Sequence, residues 1–437
     1  MKVKVTIKSI ILYSIILIGL IQAAFVVSWE GMTYISASLS YLLVIAVGVL
    51  FYKMYIKQDF EYRYIVFFYL SLGVVAIIRG VLFEAQNYWD WKQMLLSTAL
   101  VMLLPLVSCI GSNKEVAQAM FYSFVRYLLP VSFVIFFLSK TSINTDGFGR
   151  FVSPIYFLIL FFPLIECKWK IIIGLILVCS FFSDMGARSN MIRILIALGI
   201  MLLYYFRFFI RGYLLRVFRL LLFLIPILFF ILAVTDTFNV FKMNEYIKGD
   251  YTLAAKNANG DEIDNNFTAD TRTFLYKEVI SSGIKRDTFL FGESAAGGYI
   301  SEYFASTVLG SKGRMGSEVG ILNVFNNLGV VGVVAFTLIY YFASYLAINK
   351  SNNYFCKLIG IFIAFRWAYS WVEEFTNFDM NYFFLWLSLG LCFSKSFRDM
   401  TDSEMRCWVR GIFDSKIIVN EDSEKIDLRS PKRLKWR

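Results

Sequence analysis

The 437-residue sequence contains no histidine and little charge: Asp, Glu, Lys and Arg together make up only 17% of it. Without imidazole there is no histidine base, no histidine metal ligand and no histidine pH switch. Proton chemistry, if any, falls to carboxylates, hydroxyls, lysines or arginines. A soluble domain runs nearer a quarter charged, so the shortage of charge excludes a water-soluble globular protein. Soluble-enzyme motifs are missing as well: there is no Walker lysine, no dinucleotide glycine fingerprint and no metal-type cysteine pair. The cysteines carry no disulfide pattern. Cys109, Cys179 and Cys392 lie in apolar blocks, and Cys167, Cys356 and Cys407 fall on the side expected to be cytoplasmic.

What is present is apolar. Hydrophobic residues make up 58% of the chain and aromatics 18%, with 45 Phe, 26 Tyr and 9 Trp, and the mean hydropathy is +0.62. The expected fold class is an all-α polytopic membrane protein. A helix needs about 20 apolar residues to cross the hydrocarbon. About twelve blocks approach this, at 9–28, 34–51, 64–83, 93–111, 116–139, 151–165, 171–183, 189–206, 220–235, 319–348, 358–371 and 382–394. Blocks 171–183 and 382–394 are short enough to be re-entrant.

The net charge of +11 sorts by side of the membrane. With Lys2, Lys4 and Lys8 cytoplasmic, the inner connections hold Lys53, Lys57, Arg63, Lys114, Lys168, Lys170, Arg207, Arg211, Arg216, Arg219, Lys350 and Lys357. The short outer ones hold only Lys92, Lys140, Arg150 and Arg188. By the positive-inside rule both termini are expected in the cytoplasm. The basic balance is then an orientation signal and no nucleic-acid footprint. Trp29 and Glu30 follow the first block where a cleavage site would need small residues, so a retained helix is expected. The chain divides into spans one to nine (1–235), a large extracytoplasmic loop (236–317), three further spans (318–394) and a basic cytoplasmic tail (395–437).

Connections as long as 236–317 are usually functional or disordered. Its polar centre, 256–270, is expected to lack order. A helix is expected over 270–282, ending at Gly283, with Leu275 and Val279 one turn apart. A second is expected over 300–309, with Ile300, Tyr303, Phe304 and Val308 on one face.

Charges at membrane depth are costly unless paired or facing water. Arg79, Arg126, Arg193 and Arg366 fall inside apolar blocks. Arg126 is expected to snorkel, and Arg79, close to Glu84, reads equally as an ion pair or a site. Arg366 precedes Glu373 and Glu374 by about two helical turns, which suits either a structural pair or an outward-facing cavity. Arg188 follows a break at 180–187 and opens a helix, where guanidinium and helix amides together suit a phosphate-like anion. Ser317 reads as an N-cap and Glu318 as a first-turn acid of a long apolar helix. Asn323 and Asn326, farther along that helix, suggest a wet cavity wall, and Gly316, Gly320, Gly329 and Gly332 permit close packing.

These features resemble the O-antigen polymerase (Wzy) family of the O-antigen ligase/polymerase superfamily. The resemblance rests on many spans with one large late loop, and on the break Ser183-Asp-Met-Gly-Ala-Arg188-Ser-Asn. It rests further on Gly292-Glu-Ser followed by Glu318-x4-Asn323-x5-Gly329-x2-Gly332. It covers mainly 171–342; earlier parts match in hydropathy alone. The resemblance implies an inner-membrane enzyme joining undecaprenyl-diphosphate-linked oligosaccharides, donor and acceptor, on the outer face. It implies no metal or nucleotide cofactor, and a chain-length regulator protein as a further partner. The acceptor's sugar hydroxyl would displace the diphosphate lipid at the donor's anomeric carbon. In this scheme Arg188 and Arg272, with Arg314 as a third, would stabilise the departing diphosphate. Glu318 would accept the hydroxyl proton in a partly dry site, and Asn323, Arg193, Arg366 and Glu373 would contact substrate. The similar ligase has a histidine where this chain has Glu318, which argues against a ligase. A lipid-linked oligosaccharide flippase is the main rival; internal two-fold repetition would favour it, and none is visible.

Overall fold

The computed structural model describes residues 6–27, 32–55, 59–131, 134, 152–183, 188–246, 252–256, 262–266, 272–303, 311 and 313–414. They form a helical membrane protein. Among the described residues, six helices are long and apolar enough to cross a bilayer: Ile7–Ala24, Tyr34–Met54, Arg63–Glu84, Tyr88–Gly111, Gly212–Val234 and Gly320–Asn349. Ile155–Leu164, Met191–Tyr205 and Met380–Phe393 are apolar but shorter. The remaining blocks are also helical, in part or whole, but several are interrupted. Lys114–Ser123 runs into a π-helical turn at Phe124–Leu128, and Ile155–Leu158 continues as a 3₁₀ segment containing Pro163. Of the tail, 415–437 lies outside the described residues.

The helical class holds among the described residues, with one short hairpin added. Within the large loop, Thr252–Lys256 pairs antiparallel with Glu262–Asn266, in register from Thr252 opposite Asn266 to Lys256 opposite Glu262. The sequence between the strands contains Asn259-Gly260, a hairpin-turn signal that polar composition obscured.

The helix Thr273–Lys285 lies close to the expected 270–282. Leu275 and Val279 are both fully buried, and each contributes about 1.5–3 kcal/mol relative to exposure. The second expected loop helix, 300–309, is not found where the chain is described. Tyr299 instead pairs with Arg314 through two backbone hydrogen bonds of 3.0 and 2.9 Å. The Glu278 carboxylate draws the next residues away from helical pairing, accepting from the Glu302 and Tyr303 amides and the Ser301 hydroxyl. Residues 304–310 lie outside the described set.

At the end of the bundle that carries this loop, the chain from Thr288 to Gly298 is inserted between two long helices. On one side Ala295 donates to the Ala76 carbonyl at 3.2 Å, and Arg79 donates to the Phe291 and Gly292 carbonyls at 3.3 and 3.2 Å. Arg79 also lies 3.8 Å from Glu84, so the expected ion pair is present. On the other side the helix Gly320–Asn349 is broken at Gly329, with φ 64° and ψ −164°, a conformation essentially reserved for glycine. Below the break, Val330 and Val331 donate to the carbonyls of Phe289 and Leu290 at 3.0 and 3.2 Å. Above it, Glu293 donates its amide to the Asn326 carbonyl at 2.6 Å. The loop thus satisfies the backbone groups that the break releases, as apolar surroundings demand.

Tyr69, Phe336, Tyr340, Tyr382 and Trp386 pack their rings together where Arg63–Arg79, Gly320–Asn349 and Met380–Phe393 meet. Lipid offers no hydrophobic drive between helices, so such close ring packing is what holds them.

Candidate functional site

The site is built on the turn 370–379, between the helices Tyr354–Tyr369 and Met380–Phe393. Asp379 closes the turn by accepting the Tyr382 amide at 2.8 Å, as an N-cap. The Ser370 and Glu373 carbonyls accept from Ile321 and Gly320 at 2.9 and 3.2 Å. The turn therefore supplies the cap of the long helix, which starts at Gly320, with Val319 at the N-cap position. This corrects the expected start at Ser317. The Ser317 hydroxyl folds back on the Val319 carbonyl, and its amide donates to Asn323 at 2.6 Å. Glu318 lies ahead of the helix and free of its first turn.

An ion cluster forms on this turn. Arg272 occupies the N-cap of Thr273–Lys285 without capping it, which leaves its guanidinium for other partners. It donates to the Glu318 carboxylate, lies 3.7 Å from Glu373, and donates through Nε to the Val372 carbonyl at 3.3 Å. Tyr276, one turn on, donates its hydroxyl to the Trp371 carbonyl at 2.6 Å. Arg314 approaches the other Glu318 oxygen at 3.8 Å. Arg272 and Arg314 are mostly buried whereas the Glu318 side chain is 50% exposed. The structure thus brings together Arg272, Arg314, Glu318 and Glu373, which lie far apart in sequence.

On one side of the cluster is a polar cavity of about 180 Å³, walled by Gln93, Ser97, Thr98, Ser317, Asn323, Glu374 and Thr376 among others. Ser97 and Thr98 reach it from a π-helical turn, Met94–Thr98, a widening often found at functional sites. Asn323 donates to one Glu374 oxygen. The Thr376 amide and hydroxyl donate to the other, the hydroxyl at 2.5 Å. Burial pushes the Glu374 carboxyl up to about 7; Glu373 and Asp379 add to the rise and the Thr376 donors oppose it.

On the other side is an apolar groove of about 740 Å³, bounded by the helices Gly212–Val234, Thr273–Lys285 and Tyr354–Tyr369. Phe229, Phe230, Ile280, Phe365 and Val372 are among its walls. Its volume is within the roughly 300–1,000 Å³ of ordinary ligand pockets. Three consecutive residues link the two spaces: Val372 lines the groove, Glu373 meets Arg272, and Glu374 lines the cavity.

The other expected site residues stand apart. Arg366 is fully buried, with its guanidinium 4.3 Å from the Phe375 ring and 3.4 Å from the side-chain amide oxygen of Asn381. It lines neither space, because the chain turns after Tyr369 and carries Glu373 away from it. Arg193 is buried near the Tyr156 ring at 5.9 Å. Arg188 opens the helix Arg188–Tyr205 as expected, but its side chain lies outside the described residues. Asn323 lines the cavity. Asn326 turns instead to the inserted loop, donating to the Gly297 carbonyl at 3.3 Å, and Asn327 lines the cavity in its place. Arg126 is exposed.

Sequence reasoning named Glu374 only beside Arg366, not as a site residue, and missed the Gln93–Thr98 wall. The doubled acid Glu373-Glu374 between apolar blocks was the one available signal. The chain matches no protein-family model, no curated protein and no solved structure.

Proposed function

We propose that the chain is a membrane glycosyltransferase that polymerises lipid-diphosphate-linked glycan repeat units, as its resemblance to the O-antigen polymerase family implies. The observation that supports this reading is the order of groove, ion cluster and polar cavity along Val372, Glu373 and Glu374. A polyprenyl diphosphate has the first two parts in the same order, an apolar tail and a doubly charged head, and the polar cavity beyond them suits the acceptor sugar.

In this reading the tail lies along the groove and the diphosphate meets Arg272 and Arg314. At rest these guanidiniums are held by Glu318 and Glu373, so an incoming diphosphate must compete for them. Glu318, half exposed, is the carboxylate that yields. Guanidinium groups suit the task, since their forked donors match phosphate oxygens and stabilise the charge that develops as the diphosphate leaves. The acceptor hydroxyl attacks from the cavity side.

Deletion of the gene, followed by analysis of the surface glycan, tests the assignment. Loss of a polymerase leaves single repeat units on their final carrier. Loss of a ligase leaves polymer on the carrier lipid, and loss of a flippase traps single units on the inner face. An unchanged ladder of chain lengths overturns the proposal.

A further inference from the structure

We infer that Glu374 is the proton acceptor for the attacking sugar hydroxyl, and that the polar cavity beside it holds the terminal ring of the acceptor glycan. The inference rests on the polymerase reading above and places its chemistry one residue beyond the ion cluster.

Glu318 is poorly placed for this task. Both of its oxygens face guanidinium groups, and it is not part of the cavity wall. Glu374 is the only carboxylate among the cavity's described lining residues. An ionised carboxylate offers about four lone-pair sites. Asn323 and the two Thr376 donors occupy three of them, which leaves one for a substrate hydroxyl. These same contacts fix the carboxylate in place, as a positioned base requires.

The cavity suits a sugar ring. Its 180 Å³ falls below the roughly 300–1,000 Å³ of whole-ligand pockets, so it takes one ring rather than a repeat unit. Gln93, Ser97, Thr98 and Asn327 supply amide and hydroxyl groups that match ring hydroxyls. Tyr69 and Tyr382 give it two aromatic walls. Among the described residues, the charged and titratable groups around Glu374 are few. The turn contributes Glu373 and Asp379, the helices Arg63–Arg79 and Met380–Phe393 contribute the phenols Tyr69 and Tyr382, and Arg272 lies behind Glu373. The walls from Met94–Thr98 and Gly320–Asn349 are uncharged.

In the step itself the acceptor oxygen forms a bond to the donor's anomeric carbon. The bond from that carbon to the diphosphate oxygen breaks, and its electron pair leaves with the diphosphate lipid. The hydroxyl proton passes to Glu374 and is then released to water. Burial holds the Glu374 carboxyl near about 7, where a base is both ionised often enough and strong enough to serve.

The test uses the full-length protein in lipid nanodiscs with a lipid-diphosphate-linked repeat unit as both substrates. Glu374→Gln is expected to lower kcat by about 100-fold or more, the usual contribution of a general base, while KM stays within a few-fold. Glu374→Asp should recover part of the loss. The wild-type rate should fall as pH drops below about 7, and the residual rate of Glu374→Gln should not. Asn323→Leu removes a donor to the carboxylate and should move this acid limb to higher pH. An active wild type with an equally active Glu374→Gln overturns the inference and leaves the polymerase reading standing. If Glu374→Gln does not fold, the Asn323→Leu profile decides, and an unmoved acid limb overturns the inference. A wild type that forms no glycosidic bond overturns the polymerase reading, and the inference with it.

Discussion

Arg272 and Glu318, 46 positions apart, are joined by a direct guanidinium–carboxylate hydrogen bond, and Arg272 carries Glu373 and the Val372 carbonyl as well. This unequal sharing predicts unequal mutants. Arg272→Ala should abolish polymer at normal protein level, and Arg272→Lys should not restore it, because an ammonium lacks the fork that spans several oxygens. Glu318→Gln should retain polymer. Chain-length ladders from a complemented deletion strain check all three, and full polymer with Arg272→Ala would remove Arg272 from the site.

Arg286 supports the inserted loop from below. Its guanidinium lies 3.4 Å from Glu293 and donates to the Gly298 carbonyl at 2.6 Å, while Thr288 donates to Glu293 at 2.9 Å. The Glu293 side chain is only 4% exposed. Arg286→Ala leaves a buried carboxylate without its cation, which costs about 3–5 kcal/mol. The double variant Arg286→Ala/Glu293→Gln should recover part of that loss. Thermal unfolding in detergent measures both, and equal stabilities would show that the pair is not coupled.

Gly329 cannot accept a side chain. Its φ of 64° lies in glycine territory, and a Cβ there would collide with the backbone of Leu290. Gly329→Ala should destabilise by about 2 kcal/mol or more. Gly174, whose Cβ would meet nothing, should accept alanine freely. The two melting temperatures, read side by side, check the contrast.

Stability should depend on pH through Glu374. Its folded-state value of about 7 lies above the ordinary 4.5. The protonated form is therefore favoured by folding; its contribution is complete below about pH 4.5 and is lost as pH rises through about 7. Glu374→Gln cannot ionise and escapes this loss. Its stability relative to wild type should grow between those limits, by at most about 3 kcal/mol, and by less where cavity water screens the charge. Melting curves at pH 5 and pH 8 test the sign, and a gap that narrows toward high pH would contradict it.

Much of this was legible along the chain. The apolar blocks, the amphipathic repeat of Leu275 and Val279, and the polar face begun by Asn323 each follow from local periodicity. What was not legible depends on pieces of chain meeting across the bundle. The break at Gly329 is invisible to hydropathy, because apolar residues flank it on both sides. Asn323 and Asn326 look alike in sequence, yet one faces the cavity and the other the inserted loop, since Gly297 happens to lie beside the second. Glu373 and Glu374 are neighbours of identical chemistry. Only the approach of Arg272 to one and of Asn323 to the other separates them.

The caps that Phe289 and Leu290 give to Val330 and Val331 also constrain how this protein can be recombined. These caps are main-chain groups on both sides, so a chimera keeps them only where the exchanged segment follows the same backbone course. Residues 288–298 and 320–331 are also tied to Ala76, Arg79, Ser370 and Glu373, so an exchange has to keep those contacts as well.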